Sequence, residues 1–446
     1  MLLIKDAQIV NEGQQYKGAV LIKGERIDAI YKQEIPENIL EEAEIVDASG
    51  NYLFPGIIDD QVHFREPGLT HKADIRSESR AALAGGVTTF MDMPNTFPQT
   101  TTVDALNQKF DRAAEISRIN YTFFIGATND NLAELKRPEA GRAAAVKVFM
   151  GSSTGNMLVD KPSSLQGIFN EVDMLIAVHC ESEAIIKANI ARYTEQYGPF
   201  LNIGFHPKIR SEEACYASSS EAVEMASRYG SRLHLFHLST AKELSLLERK
   251  PLKDKKITGE VCIHHLWFSD EDYARLGNRI KWNPAVKTVN DMLALRAGLN
   301  DGLLDVVATD HAPHLLTEKE GSVFKAASGG PMVQHSLVAM LEMSKAGIFR
   351  LEKVIEKMCH APADLFRIKD RGYIREGYFA DLVLVKPNAP WKVSPKNILY
   401  KCGWSPMEGQ TFSHRIIQTY VNGRLGYNNG LIDESVRGKE IISNPQ

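Results

Sequence analysis

Several polar residues that could do chemistry sit at the ends of otherwise apolar runs. GIIDDQVHF carries Gln61 and His63 and leads to Arg65, VTTFMDMP leads to Asn95, and AAVKVFMG holds Lys147 near its centre. MLIAVHC contains His179, RLHLFHLS contains His237, and DVVATDHAP contains Asp310 and His311, with His314 just beyond. A single histidine at a strand end is ordinarily a hydrogen-bonded structural residue. Three of them, with a lysine and an aspartate at equivalent places on successive strands, point to a metal centre. Lys147 is the most telling, because an ammonium is costly to bury and burial favours the neutral amine. Such a lysine either reaches the rim or a carboxylate, or adds carbon dioxide and becomes a carbamate able to bridge two divalent cations. Imidazole and oxygen ligands with an open position suit Zn²⁺ that activates water. Asp310 either caps a helix or carries a proton from activated water to a leaving nitrogen. Arg65 lies on the same side as His63 if the strand continues that far. Its guanidinium then either joins a rim salt bridge or clamps a carboxylate. Asn95 and His314 suit carboxylate or amide recognition.

These residues need elements that bring them to one rim. Eight apolar runs alternate with helical patterns such as those over 71–86, 102–117 and 288–302. The alternation predicts a parallel (β/α)₈ TIM-like barrel, in which the C-terminal strand ends form one face; a doubly wound open sheet is the competing architecture. Short β-rich runs occupy both ends of the chain, over 2–10, 18–30 and 43–54, and over 380–387 and 415–427. Neither end alone has enough strands for a good core. They are expected to pair as one small β-sandwich, 1–53 with 370–446, around a barrel over 54–369.

The composition fits that class. The chain has 446 residues, 43% apolar and 24% charged, with a net charge of −4. These values exclude disorder and collagen as the overall class and give no reason to expect nucleic acid or a membrane surface as partner. No run is long and apolar enough to span a bilayer, and Lys5 and Asp6 interrupt the N-terminus too early for a secretory segment. Five scattered cysteines without a CxxC pattern suggest reduced thiols, and the reading is cytoplasmic. The charged stretch LERKPLKDKK has no aromatic for base stacking and reads as a solvated loop.

Together the motifs resemble the dihydroorotases of the amidohydrolase superfamily. The matches are HFREPG from His63, MPNT from Met93, VKVF from Val146, AVHCE around His179, HLST from His237, EVCIHHL from Glu260, WNPAVKT around Asn283 and ATDHAPH from Ala308. They run the length of the chain, and HFREPG with ATDHAPH in this order is the specific pair. The resemblance implies reversible hydrolysis between L-dihydroorotate and N-carbamoyl-L-aspartate in pyrimidine biosynthesis. It also implies one or two Zn²⁺ held by His63, carboxylated Lys147, His179, His237 and Asp310, with Asp310 as acid and base. Arg65, Asn95 and His314 would hold the substrate carboxylate and Asn283 the ring; a homodimer is the default assembly.

One position departs from the family pattern. The first strand carries Gln61 where the family's His-x-His motif has its first histidine, and an amide oxygen is a poorer zinc ligand. SGGPMVQ, from Ser328, only partly matches the family's glycine-rich segment. Two other readings follow: a related cyclic-amide hydrolase such as an allantoinase or dihydropyrimidinase, or a catalytically impaired scaffold. Arg65 argues against dihydropyrimidinase, whose substrate has no carboxylate. Retention of Lys147, His179, His237 and Asp310 argues against a scaffold.

Overall fold

A computed structural model describes residues 1–137, 142–151 and 156–443. Eight parallel strand positions form a closed barrel. They are β6 (Ile57–Val62), β7 (Val87–Asp92), β8 (Asn120–Phe123) continued by β9 (Ile125–Gly126), β10 (Val146–Phe149), β11 (Ile176–His179), β12 (Leu233–Leu235), β13 (Ile257–Cys262) and β14 (Val306–Ala308). One hydrogen-bonded path runs β6-β7-β8 and another β9 to β14 in chain order. The third strand changes partners at Phe124, whose N–H donates to Asp92 O while Ile125 N–H donates to Ala145 O. A parallel bridge between Val62 and His311 closes the ring, and His63 N–H donates to His311 O at 2.7 Å. The fold is the expected TIM-like barrel.

The period-two rule of a strand decides what faces the interior. Val146 and Val148, Ile176 and Val178, and Leu233 and Leu235 belong to the large core cluster, while Ala145, Ala177 and Phe236 join a second cluster with Met91 and Phe124. Alternation therefore sends Lys147 and His179 inward, to the same side as that second cluster. Three of the helices that cover the outer face start on side-chain caps. Asp74 and Ser77 form a capping box for the helix Ile75–Ala84, Thr102 caps Val103–Ile116, and Thr288 with Asp291 caps Val289–Asn300.

Both ends of the chain meet in one antiparallel-rich sheet. Its N-terminal strands are β1 (Leu2–Asn11), β2 (Gln14–Lys23), β3 (Arg26–Tyr31), β4 (Glu44–Asp47) and β5 (Tyr52–Pro55). The C-terminal ones are β15 (Leu382–Lys386), β18 (Arg415–Val421), β19 (Arg424–Asn428) and β20 (Leu431–Ile432), after a short β16 (Trp391–Lys392) and β17 (Thr411–Phe412) pair that stands apart. The two halves join where β5 pairs with β15. β1 has a register shift between Ile4 and Ala7, pairs with β4 before it and with β5 after it. The apolar faces enclose Ile4, Ile9, Val20, Leu53, Leu382 and Leu384.

Parts of segment 370–446 leave this sheet for the barrel. Trp404 Nε1 donates to His314 O at 2.7 Å, and Tyr400 OH accepts from Gln334 N at 2.9 Å, so residues around 400 lie beside the barrel's mouth. Near the C-terminus, Tyr121 N–H donates to Lys439 O and Ile441 N–H to Tyr121 O, which adds a short tail to the barrel's third strand. A run of alternating hydrophobicity does not reveal such excursions, because each contact is made by one or two residues.

All five cysteines are free thiols. Among the described residues, no helix is long and apolar enough to cross a membrane.

The terminal sheet is tied to the barrel by a buried hub. Asp381 accepts from Arg371, from Asn120 Nδ2 at 3.1 Å and from Asn422 N at 2.8 Å. Removing this carboxylate leaves Arg371 buried without its counter-charge. Asp381→Ala is expected to cost about 3–5 kcal/mol, seen as a lower urea midpoint; an unchanged midpoint would contradict the hub.

Candidate active site

A cavity of about 920 Å³ opens at the C-terminal ends of the barrel strands. It is lined by Gln61, His63, Arg65, Asn95, Lys147, His179, His237, Asn283, Asp310 and His314, so the chain brings together every residue given a metal, acid/base or substrate role from the sequence.

Lys147 projects from the middle of β10 into this cavity's floor. Its Nζ lies 4.1 Å from the ring centre of Phe236 and 4.8 Å from that of Phe149. Among the described residues it makes no salt bridge. Burial pulls its pKa down to about 8, although Glu260 and Asp310 act in the opposite direction. The rim and carboxylate-pair alternatives for this lysine are thus not what the geometry displays.

His179 and His237 face each other, Nδ1 to Nε2, at 2.9 Å. The other nitrogen of His179 is 3.0 Å from Glu181 Oε2, which also accepts from Arg210 Nη1 at 2.6 Å. Burial holds the pKa of both histidines down. The carboxylate therefore accepts a hydrogen bond from Nε2–H of neutral His179, which turns the Nδ1 lone pair toward His237. Two imidazoles so arranged offer nitrogen ligands to a cation seated beside them. His237 (φ 39°) and Asp310 (φ 44°) both adopt the left-handed region, which non-glycine residues enter at some cost. Each lies just past its strand, where the chain turns across the rim.

His63 bridges two partners. Its Nδ1 is 2.8 Å from Asn95 Oδ1 and its Nε2 is 3.1 Å from Asp310 Oδ1. With Asn95 Oδ1 accepting the Nδ1 proton, the Asn95 amide NH₂ is left for the cavity, and the Nε2 lone pair meets the carboxylate where a cation would relieve the contact. Gln61 occupies the remaining place on this wall, its Oε1 3.6 Å from the Cys262 thiol.

The strand does not continue to Arg65. β6 ends at Val62, and Arg65 reaches the cavity from a turn with φ 67°. Gly68 (φ 82°) closes that turn, where a Cβ would stand 1.8 Å from Phe97 O. Arg65 Nε donates to Pro313 O at 3.2 Å and Nη2 to His314 Nε2 at 3.1 Å. Burial, reinforced by Arg65, Lys72 and Lys319, drives the His314 pKa far down. The ring is neutral and sits in a cationic wall suited to an anion.

Some contributors escaped the sequence reading. Lys72 lines the cavity 3.1 Å from His314 Nδ1 and pairs with Glu318 at 2.8 Å. Its signal was its place five residues past the HFREP run. Glu181 stood inside AVHCE unassigned. Ser328 and Gly329, from the SGGPMVQ segment that the sequence matched only in part, line the mouth, held by Lys319 Nζ, which donates to Lys281 O, Ala327 O and Gly329 O. His311, next to Asp310, does not line the cavity. Its ring instead bonds Glu78 at 2.8 Å and accepts from Met332 N and Val333 N, pinning the segment after the last strand.

Comparison with known proteins gives this geometry a family. The model of the Amidohydrolase family matches residues 52–426. The chain belongs to the amidohydrolase family. This amidohydrolase is 33% identical to a dihydroorotase from Methanosarcina mazei over 91% of its own length and 90% of that protein's. It is 31% identical to an allantoinase from Bacillus velezensis, with 96% and 94% covered. An L-hydantoinase (dihydropyrimidinase) structure from Arthrobacter aurescens superposes with a TM-score of 0.91 at 26% identity, covering 97% of each chain. The matched proteins support cyclic-amide hydrolysis as the chemistry.

Where a divalent ion binds at His179 and His237, Glu181→Gln should weaken it about 10- to 100-fold, measured by competition with a chromophoric chelator. Equal affinity in the variant would show that Glu181 does not set the histidine's orientation.

Proposed function

We propose that this amidohydrolase is a dihydroorotase, interconverting L-dihydroorotate and N-carbamoyl-L-aspartate in pyrimidine biosynthesis. The observation that carries the reading is the cationic wall of Arg65 and Lys72 around neutral His314, on one side of a cavity whose other side holds Lys147, His179, His237, His63 and Asp310. A five- or six-membered cyclic amide without a carboxylate has no use for that wall. The 33% identical dihydroorotase supports the same choice.

His63, Lys147, His179, His237 and Asp310 are the residues that would hold one or two Zn²⁺, with Gln61 the weak position. The donor set fits: neutral imidazole nitrogens facing one another, a carboxylate against a histidine lone pair, and a lysine that makes no salt bridge among the described residues. That amine adds carbon dioxide, releasing a proton and forming the N6-carboxylate that serves as an anionic ligand. When bound, zinc supplies Lewis-acid chemistry, lowering the pKa of water and polarising an amide carbonyl.

The chain's own residues do the rest. Arg65, the Asn95 amide and His314 fix the substrate through its carboxylate, which orients the ring carbonyl over the floor. Asn283, whose buried Oδ1 has no hydrogen-bond partner, accepts a ring N–H. Asp310 takes the proton from the attacking water and delivers it to the departing ring nitrogen. In the cyclising direction it removes the proton from the carbamoyl nitrogen instead.

Allantoin hydrolysis is the second reading, favoured by the allantoinase relative. Steady-state assay of both substrates separates them. Dihydroorotate turnover is expected, with Arg65→Ala raising KM far more than it lowers kcat. Robust allantoin hydrolysis without dihydroorotate turnover would overturn the proposal. Asp310→Asn should lower kcat by about 10²-fold or more; full activity in that variant would remove its proton-transfer role.

A further inference from the structure

Below the rim, the barrel interior holds charges that this reaction does not use. Asp60 on β6, His234 on β12 and Glu260 on β13 are fully buried, and ligand atoms of the three lie within 4.8 Å of one another. The tautomer of His234 is set from behind. Its Nδ1 is 2.8 Å from Thr258 Oγ1, and the Thr258 hydroxyl donates to Leu233 O at 3.2 Å. With its hydrogen committed there, Thr258 can only accept the Nδ1 proton. When neutral, His234 thus turns its Nε2 lone pair toward Asp60 Oδ2, 3.6 Å away, and Glu260 Oε2, 3.9 Å away.

Neither separation is a hydrogen bond. Among the described residues, His234 Nε2, both carboxylate oxygens of Asp60 and Glu260 Oε2 are all buried without a hydrogen-bond partner. The other oxygen of Glu260 is occupied, accepting from His237 N at 3.0 Å and facing the Cys262 thiol at 3.3 Å. Two carboxylates and a lone pair therefore converge on one point away from water, which is strongly unfavourable unless positive charge fills it.

We propose that Asp60, His234 and Glu260 bind a divalent first-row cation at a site distinct from the rim centre. Ligands about 2.1 Å from a zinc ion stand about 3.4 Å apart at a tetrahedral angle and about 3.6 Å apart at 120°. The separations of 3.6 and 3.9 Å are close to that spacing. One imidazole and two carboxylates form a mixed nitrogen and oxygen set that Zn²⁺ accepts. Thr258 is the kind of hydrogen-bond partner that fixes a ligating histidine through its second nitrogen. The pull on positive charge is also evident in the histidine itself. Burial lowers its pKa, yet Asp60 and Glu260 outweigh burial and leave it raised to about 9. The competing occupant is therefore a proton on Nε2. Through Glu260 and His237 N, the ion would brace the backbone that presents His237 to the rim.

The test is anomalous diffraction on either side of the zinc edge, from crystals of the full-length protein loaded with zinc. The expected result is a peak about 2.0–2.2 Å from Asp60 Oδ2, His234 Nε2 and Glu260 Oε2, resolved from any peak at the rim. His234→Gln should remove this lower peak alone and reduce zinc by about one ion per chain. A rim peak with nothing below it, or no peak anywhere, would overturn the proposal and assign the proton to His234. A lower peak without a rim peak would support it while counting against the rim reading.

Discussion

The site depends on one enforced contact, the 2.9 Å approach of His179 Nδ1 to His237 Nε2. Left to themselves, two neutral imidazoles would rotate away from each other. Here they cannot. Glu181, itself fixed by Arg210, claims the far nitrogen of His179, while Glu260 holds the backbone of His237 in a left-handed turn. The Nδ1 lone pair of His179 is thereby directed toward His237 at the cavity, and the arrangement is held before any ligand arrives. The cost of such preorganisation is carried by the barrel, whose outward-facing Val, Ile and Leu residues pack against the helices around it.

The same logic runs along the wall opposite. His63 is trapped between Asn95 and Asp310, and His314 between Arg65 and Lys72. Burial keeps His314 neutral, so it fills space and directs hydrogen bonds while the guanidinium and ammonium supply charge. Elements far away in sequence hold this wall in place. Trp404 bonds the His314 carbonyl, and Lys319 ties two carbonyls of the loop that carries Gly329 to the carbonyl of Lys281. The terminal sheet is thus more than an appendage, because a segment inserted between its strands supports the cavity's mouth.

Much of this was legible in the sequence, for a physical reason. Strand periodicity is local, so AAVKVFMG and MLIAVHC report which way Lys147 and His179 point once they are read as barrel strands. Gln61 and Asp310 were found the same way. Arg65 was placed on the right side for the wrong reason: the strand stops at Val62 and a turn closed by Gly68 delivers the guanidinium. Lys72 was missed because its role exists only through a partner distant in the chain, His314; Glu181 bonds His179 two residues before it, but what fixes it there is the distant Arg210. The contacts made by residues 400–404 and by the C-terminal tail were invisible likewise, since neither carries a periodic pattern. The carboxylates around His234 could not be weighed at all without knowing that β6, β12 and β13 meet inside one barrel.

The most direct test of the account is dihydroorotate hydrolysis measured against zinc content on one preparation, stripped with chelator and then reloaded with zinc and bicarbonate. The account predicts that activity is lost with the metal and returns as zinc is restored. Full turnover by the zinc-free protein, or none after reloading, would contradict it.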